Sequence, residues 1–159
     1  VYELGNSDDN LTGMGTTLVL AAFCDMNLFC CNIGDSRLYR KSSDGFYKIT
    51  TDHSLDEYLK SNNIRDGFIN ENEKNLLTKA LGTERDIIPD LYVLQYDIGD
   101  RFLICSDGVY NSAGASLERI VSAENYSSKE ISEGIIAEAL KMGADDNVSA
   151  LAIIEDRLD

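Results

Sequence analysis

Histidine occurs once in these 159 residues, basic residues number 14 against 28 acidic ones, and long apolar runs are missing altogether. Each scarcity excludes something. A membrane-crossing helix needs roughly 20 consecutive apolar residues, and no stretch of the sequence approaches that. No signal-peptide pattern opens the chain. A net charge of −14 repels nucleic acid and anionic lipid, whose binding rests on Lys and Arg neutralising phosphates. The same field attracts divalent cations, and a phosphate-ester substrate would need a bound metal to offset it. The four cysteines, Cys24, Cys30, Cys31 and Cys105, sit in apolar runs and make no C-x-x-C pair. That argues against zinc and reads as reduced, buried strand residues of an intracellular protein.

The lone histidine, His53 in "TDHS", invites a hydrolase dyad with Ser36 of "GDSR". Esterases of that type need a D-x-x-H pair late in the chain, and no histidine follows Asp107, so His53 reads as a flap or helix-start residue. A thiolate phosphatase needs a C-x5-R loop, but the sixth residue after Cys105 is Asn111. Arg37 and Arg101 read as braces for acidic neighbours. The scattered tyrosines lack the basic interleaving of a nucleic-acid platform.

What is present is an ordinary globular composition, 43% hydrophobic and 26% charged, at a length suited to one domain with one core. After a polar start, strand patterns cover 16–24, "LFCCNI", "RLYRK" and "FYKIT", joined by the turns "DMN" and "SSDG". They read as an antiparallel meander. A helix follows the capping box Ser54–Glu57, and a second is expected over 71–81, with Leu76, Leu77 and Ala80 inward. Strands resume at 91–96 and 101–105. Helices near 117–122 and 129–142 come next, the latter with a Ser127–Glu130 capping box, and the last strand covers 148–154. The class expected is α+β, built on antiparallel sheet.

Three aspartates stand at strand ends. Asp35 follows "LFCCNI", Asp107 follows "FLIC" on what reads as a glycine turn, and Asp146 precedes the last strand. Antiparallel pairing of that strand with 101–105 would set Asp146 beside Asp107. Neighbouring carboxylates repel unless a cation intervenes, and hard oxygen ligands suit Mg²⁺ or Mn²⁺.

In order along the chain, "MGTTLV", "NIGDSRLYR", "ITTDHSL", "LTKALG", "GDRFLICSDGVYNS" and "DDNVSALAII" resemble the metal-dependent protein phosphatases of type 2C, most closely their bacterial members. The resemblance spans Met14 to Glu155. It implies a four-layered αββα sandwich with two antiparallel sheets and a centre of two or three Mn²⁺ or Mg²⁺ ions. It implies metal-activated water attacking phosphoserine or phosphothreonine in proteins phosphorylated by a Ser/Thr kinase, and a cytoplasmic enzyme with no nucleic-acid or membrane partner. Asp107 and Asp146 match ligands of the binuclear centre, and Asp35 matches a ligand of a third, weaker metal shared with Asp107. Thr16 and Thr17 match a mainly structural motif, and residues 52–75 a flap beside the active site.

The family's D-G-x-G-G turn, whose aspartate bridges the metals, is absent from the sequence, as is its phosphate-gripping arginine; "DGF" at Asp44 and at Asp66 both lack the later glycines. With Val1 as first residue, the expectation is a single incomplete domain: the C-terminal part of a longer phosphatase with its N-terminal strands missing. Such a fragment would bind metal weakly through Asp35, Asp107 and Asp146, and turn over poorly or not at all. The alternative is a non-catalytic phosphatase-like module that binds a phosphoprotein or regulatory partner.

Overall fold

The structure, a computed structural model, describes residues 1–64 and 70–156, with residues 71 and 72 described by their backbone only. In chain order its elements are α1 (Tyr2–Gly5), β1 (Leu18–Cys24), β2 (Asn27–Ile33), β3 (Arg37–Ser42), β4 (Gly45–Lys48), α2 (Leu55–Ser61), α3 (Glu71–Lys74), β5 (Asp90–Gln95), β6 (Arg101–Cys105), α4 (Asp107–Ala113), α5 (Leu117–Val121), α6 (Ser128–Lys141) and β7 (Ala150–Ile154). The strands form a three-stranded sheet in the order β1-β2-β5 and a four-stranded sheet in the order β4-β3-β6-β7. The α+β class is as expected. The single meander is not: β2 and β3 belong to different sheets. The chain leaves the first sheet at Gly34, whose φ of +101° lies in the left-handed region that favours glycine.

By its contacts the chain divides into two compact units. The first comprises Val1–Ala21, Cys30–Ser36 and Thr51–Leu91. Here the Ser54 hydroxyl caps α2 by accepting the Glu57 N–H at 3.3 Å, and an Asn70–Glu73 capping box starts α3. The helix expected over 71–81 stops at Lys74. Beyond it the backbone bonds sideways rather than along a helix: the Leu55 N–H donates to the Leu76 carbonyl at 2.9 Å, and the Thr78 N–H to the His53 carbonyl at 2.8 Å. Bridges pair Ser54 with Leu77 and Thr16 with Leu81. Helical propensity yields to tertiary pairing; Leu76 and Leu77 are exposed, and only Ala80 turns inward. The flap-like segment assigned to 52–75 contains α2 and α3, and its residues 65–69 lie outside the described ones.

The second unit comprises Ala22–Phe29, Arg37–Thr50 and Tyr92–Asp159. Its four-stranded sheet is antiparallel at every step. Alternation along β6 sorts its side chains between the two faces. Leu103 and Cys105 join Val109, Leu117, Ile120, Val121, Ile131, Ile135 and Ala152 in the core beneath the helices. Phe102 instead meets Phe23 and Tyr96 edge to face, with centroids 5.2 and 6.0 Å apart. Helix α6 carries the expected capping box in full, Ser127 and Glu130 each bonding the other's backbone N–H. The Arg101 guanidinium donates to the carbonyls of Val121, Ala123 and Glu124 at 2.9, 2.6 and 3.1 Å. It therefore seals carbonyls left open where α5 ends rather than bracing an acid. The bracing role falls to Arg40, whose Nε and a terminal nitrogen both donate to the buried Asp100.

Candidate metal centre

The register of β6 against β7 pairs Cys105 with Ala150, and the pairing continues past the strand ends. The Ser106 N–H donates to the Ser149 carbonyl at 3.1 Å. Its hydroxyl accepts from the Ser149 N–H at 3.0 Å and donates to the Asn147 carbonyl at 3.2 Å. Ser106 thus joins the two backbones at the point where each reaches its aspartate, and Asp107 and Asp146 come to one rim, as the sequence predicts.

The local conformation differs from the expected glycine turn. Asp107 opens α4, and Gly108 lies within the helix, buried and without a left-handed φ. Its missing side chain serves close approach: a Cβ there would lie 2.5 Å from the Asn147 carbonyl oxygen and 3.2 Å from that of Asp146. A carboxylate in a first helical turn is favoured by the orientation of the peptide dipoles.

Each carboxylate is aimed by one backbone donor. Asp107 Oδ1 accepts the Gly108 N–H at 2.9 Å, and Asp146 Oδ1 accepts the Asn147 N–H at 2.6 Å. Asp107 is half-buried and Asp146 exposed. Asp35, in the first unit, lies half-buried in the loop after β2, next to Gly34. Among the described residues no group of three or more His, Cys, Asp or Glu side chains forms a metal-holding cluster. As donors, the two rim aspartates fit a hard divalent cation: they are oxygen ligands, oriented by N–H groups, with a second oxygen each beyond the bond to backbone.

His53 does not serve Ser36 as a base. Its Nδ1 accepts the Gly34 N–H at 2.9 Å, while the Ser36 hydroxyl pairs with that of Thr17 at 2.9 Å. Arg37 lies over the Tyr110 ring at 3.3 Å from the centroid and donates to the Tyr39 hydroxyl at 3.1 Å. The grip of His53 on Gly34 is the feature that sequence reasoning missed; the only available signal was a lone histidine in a polar segment without a partner in the sequence.

An α+β chain with an aspartate at the end of one strand and another at the start of its antiparallel neighbour defines a class, and comparison with known proteins names it. Residues 3–141 match the family described as Protein phosphatase 2C. The chain belongs to that family. It is 35% identical over 150 residues to the serine/threonine phosphatase stp of Listeria innocua, covering 92% of this chain and 59% of that protein. It is 29% identical to the protein phosphatase PhpP of Streptococcus pneumoniae, covering 96% and 63%. Among solved structures it resembles the S. agalactiae serine/threonine phosphatase, with a TM-score of 0.85 at 29% identity over 98% of this chain and 65% of that one. The catalytic domain of PstP in complex with two manganese ions gives a TM-score of 0.80 at 28% identity, over 95% and 63%. The chain thus spans about three fifths of the length of these relatives. Among the described residues, no helix is long and apolar enough to cross a membrane.

Proposed function

We propose that this chain belongs to a metal-dependent phosphatase that hydrolyses phosphoserine and phosphothreonine in proteins, its substrates being the products of a Ser/Thr kinase in the cytoplasm. Asp107 and Asp146 are its metal ligands, and Asp35 a further one. The observation that carries this reading is the junction of β6 and β7, where Ser106 ties together the backbones that present two N–H-oriented carboxylates. Family membership supports it, as does the manganese in the related PstP structure.

The chemistry supplied by bound Mn²⁺ or Mg²⁺ is acidification of water and neutralisation of phosphoryl charge. The work of this chain is placement. Ser106 keeps the two strand ends in register, Gly108 lets α4 approach the backbone of residues 146 and 147, and the Gly108 and Asn147 N–H groups fix how the carboxylates point. Residues 52–75 are assigned as a flap governing access.

Paramagnetic broadening locates even weakly bound Mn²⁺. In amide spectra of the chain titrated with Mn²⁺, the signals of Gly108 and Asn147 are expected to broaden first. In Asp107→Asn and Asp146→Asn that response is expected to weaken about tenfold or more, together with Mn²⁺-dependent release of phosphate from a phosphothreonine peptide. Broadening spread evenly over the acidic surface, or unchanged in both variants, would refute the assignment. Retention of the phosphopeptide with no Mn²⁺ broadening at Gly108 or Asn147 at any Mn²⁺ concentration would make the chain a binding module.

A further inference from the structure

We propose that His53 is a positioning residue for Asp35: its imidazole and its own backbone together lock the Gly34–Asp35 turn. This deepens the reading of Asp35 as a metal ligand and rests on it.

Three observations converge on the turn. First, both backbone groups of Gly34 are claimed. Its N–H donates to His53 Nδ1 at 2.9 Å. Its carbonyl accepts from the His53 N–H at 3.0 Å and from the side-chain amide of the fully buried Asn32 at 3.3 Å. Second, the turn has no room to relax. At φ +101° a Cβ on Gly34 would lie 2.3 Å from Thr17 Cγ2, and the next side chain but one, Ser36, is tied to Thr17.

Third, the imidazole is held in the one neutral tautomer that can do this. Accepting from Gly34 requires the lone pair on Nδ1, so the proton belongs on Nε2. That nitrogen is buried and comes within 3.1 Å of Asp90 Oδ2, too poorly aligned for a good hydrogen bond but facing an acceptor. Asp90 in turn holds Lys79 through Oδ1 at 2.9 Å. Burial alone would raise the Asp90 pKa; the hydrogen bond from Lys79 and the close approach of His53 outweigh it and hold the carboxyl below its ordinary range. An ionised Asp90 can only accept. Both neighbours of the ring therefore demand the same tautomer, and the order runs Lys79, Asp90, His53, Gly34, Asp35.

Because His53 is the only histidine, the claim can be read directly. In slightly alkaline buffer, ¹⁵N spectra of the imidazole are expected to show the Nε2–H tautomer, with Nδ1 shifted as a hydrogen-bond acceptor and the Gly34 amide slow to exchange. The Nδ1–H tautomer, or a freely exchanging Gly34 amide, would overturn the proposal without any variant. His53→Leu keeps bulk but removes the acceptor; His53→Asn restores an oxygen near the Nδ1 position. The expected result is that Gly34 loses protection and Mn²⁺ broadening at Asp35 weakens about tenfold in the leucine variant, with substantial recovery in the asparagine variant. Equal losses in both variants would reduce His53 to packing. Lost protection with an unaltered Mn²⁺ response at Asp35 would likewise overturn the positioning role. A wild-type chain with the right tautomer but no Mn²⁺ response at Asp35 would instead count against the metal assignment of that aspartate, so the two failures are separable.

Discussion

Gly108 and Gly134 sit in α4 and α6 of the second unit, and replacing each by alanine is expected to act in opposite directions. In a helix, alanine is favoured over glycine by about 1 kcal/mol. At Gly134 in α6, a new Cβ would meet only Ile120 Cγ2 at 3.5 Å, an ordinary contact. Gly134→Ala should therefore stabilise by about 0.5–1 kcal/mol. At Gly108 the same methyl would lie 2.5 Å from a backbone oxygen of Asn147. Relieving that overlap requires moving either α4 or the 146–147 backbone by nearly an ångström, at an overpacking cost of about 1–3 kcal/mol. The propensity gain is small in a first turn, so the net loss should be about 1–2 kcal/mol, or roughly 2–8 °C in Tm for a chain of this size. The metal response should suffer more than the stability, because the backbone that moves carries Asp146. Thermal melts of the two single variants, with Mn²⁺ broadening measured at Asn147, form the assay. A Gly108→Ala chain that is as stable as Gly134→Ala and keeps its Mn²⁺ response would refute the claim that close backbone approach sets the rim.

Two further expectations concern α6 and the thiols. The backbone N–H and then the hydroxyl of Ser127 hold the Glu130 carboxyl below its ordinary range. A depressed carboxyl stabilises fully above the ordinary glutamate range and ceases to as pH falls through its folded value. Denaturation midpoints should therefore decline on acidification through that window, and the part of the decline due to this group should vanish in Glu130→Gln. Burial, and secondarily the neighbouring Cys31, pushes the Cys30 thiol up to about 11, whereas Cys24 is exposed. A disulfide exchange reagent at neutral pH should modify Cys24 first and leave Cys30 and Cys105 unmodified until the chain unfolds; early loss of the Cys30 thiol would contradict the packing of β2.

Legibility in the sequence tracked the range of the interactions. Strand β6 and helix α6 were readable to within a residue, because an apolar run bounded by polar residues and a capping box are local signals. The 71–81 helix misled for the same reason. Its start is real, since Asn70 and Glu73 cap one turn. The path of residues 76–81, however, is decided by hydrogen bonds to Leu55 and His53 and by the bridge to Thr16, partners far away in sequence. Helix α4 was hidden because "SDG" has the composition of a turn; the spacing of Val109 and Ala113, both buried, was the available counter-signal. The neighbourhood of Asp107 and Asp146 was legible through strand pairing alone. The demand on Gly108 was not, since no pattern in one chain segment announces that another backbone will pass 2.5 Å from an absent methyl.

A common device places the acids. Asp35 follows Gly34 and Asp107 precedes Gly108, and in each case the glycine stands where a Cβ would overlap another part of the same unit, Thr17 in one and Asn147 in the other. Hydrogen bonds to a carboxylate would compete with a cation for its oxygens, so a ligand cannot be positioned by saturating it. Fixing the adjacent backbone avoids that competition: steric closeness and backbone hydrogen bonds hold the Cα, and at Asp107 the backbone donor engages Oδ1. The same logic makes these positions intolerant in a distinctive way. If these aspartates hold metal as proposed, a larger residue at Gly34 or Gly108, which disturbs an aspartate without touching it, is expected to weaken the Mn²⁺ response by more than its effect on Tm.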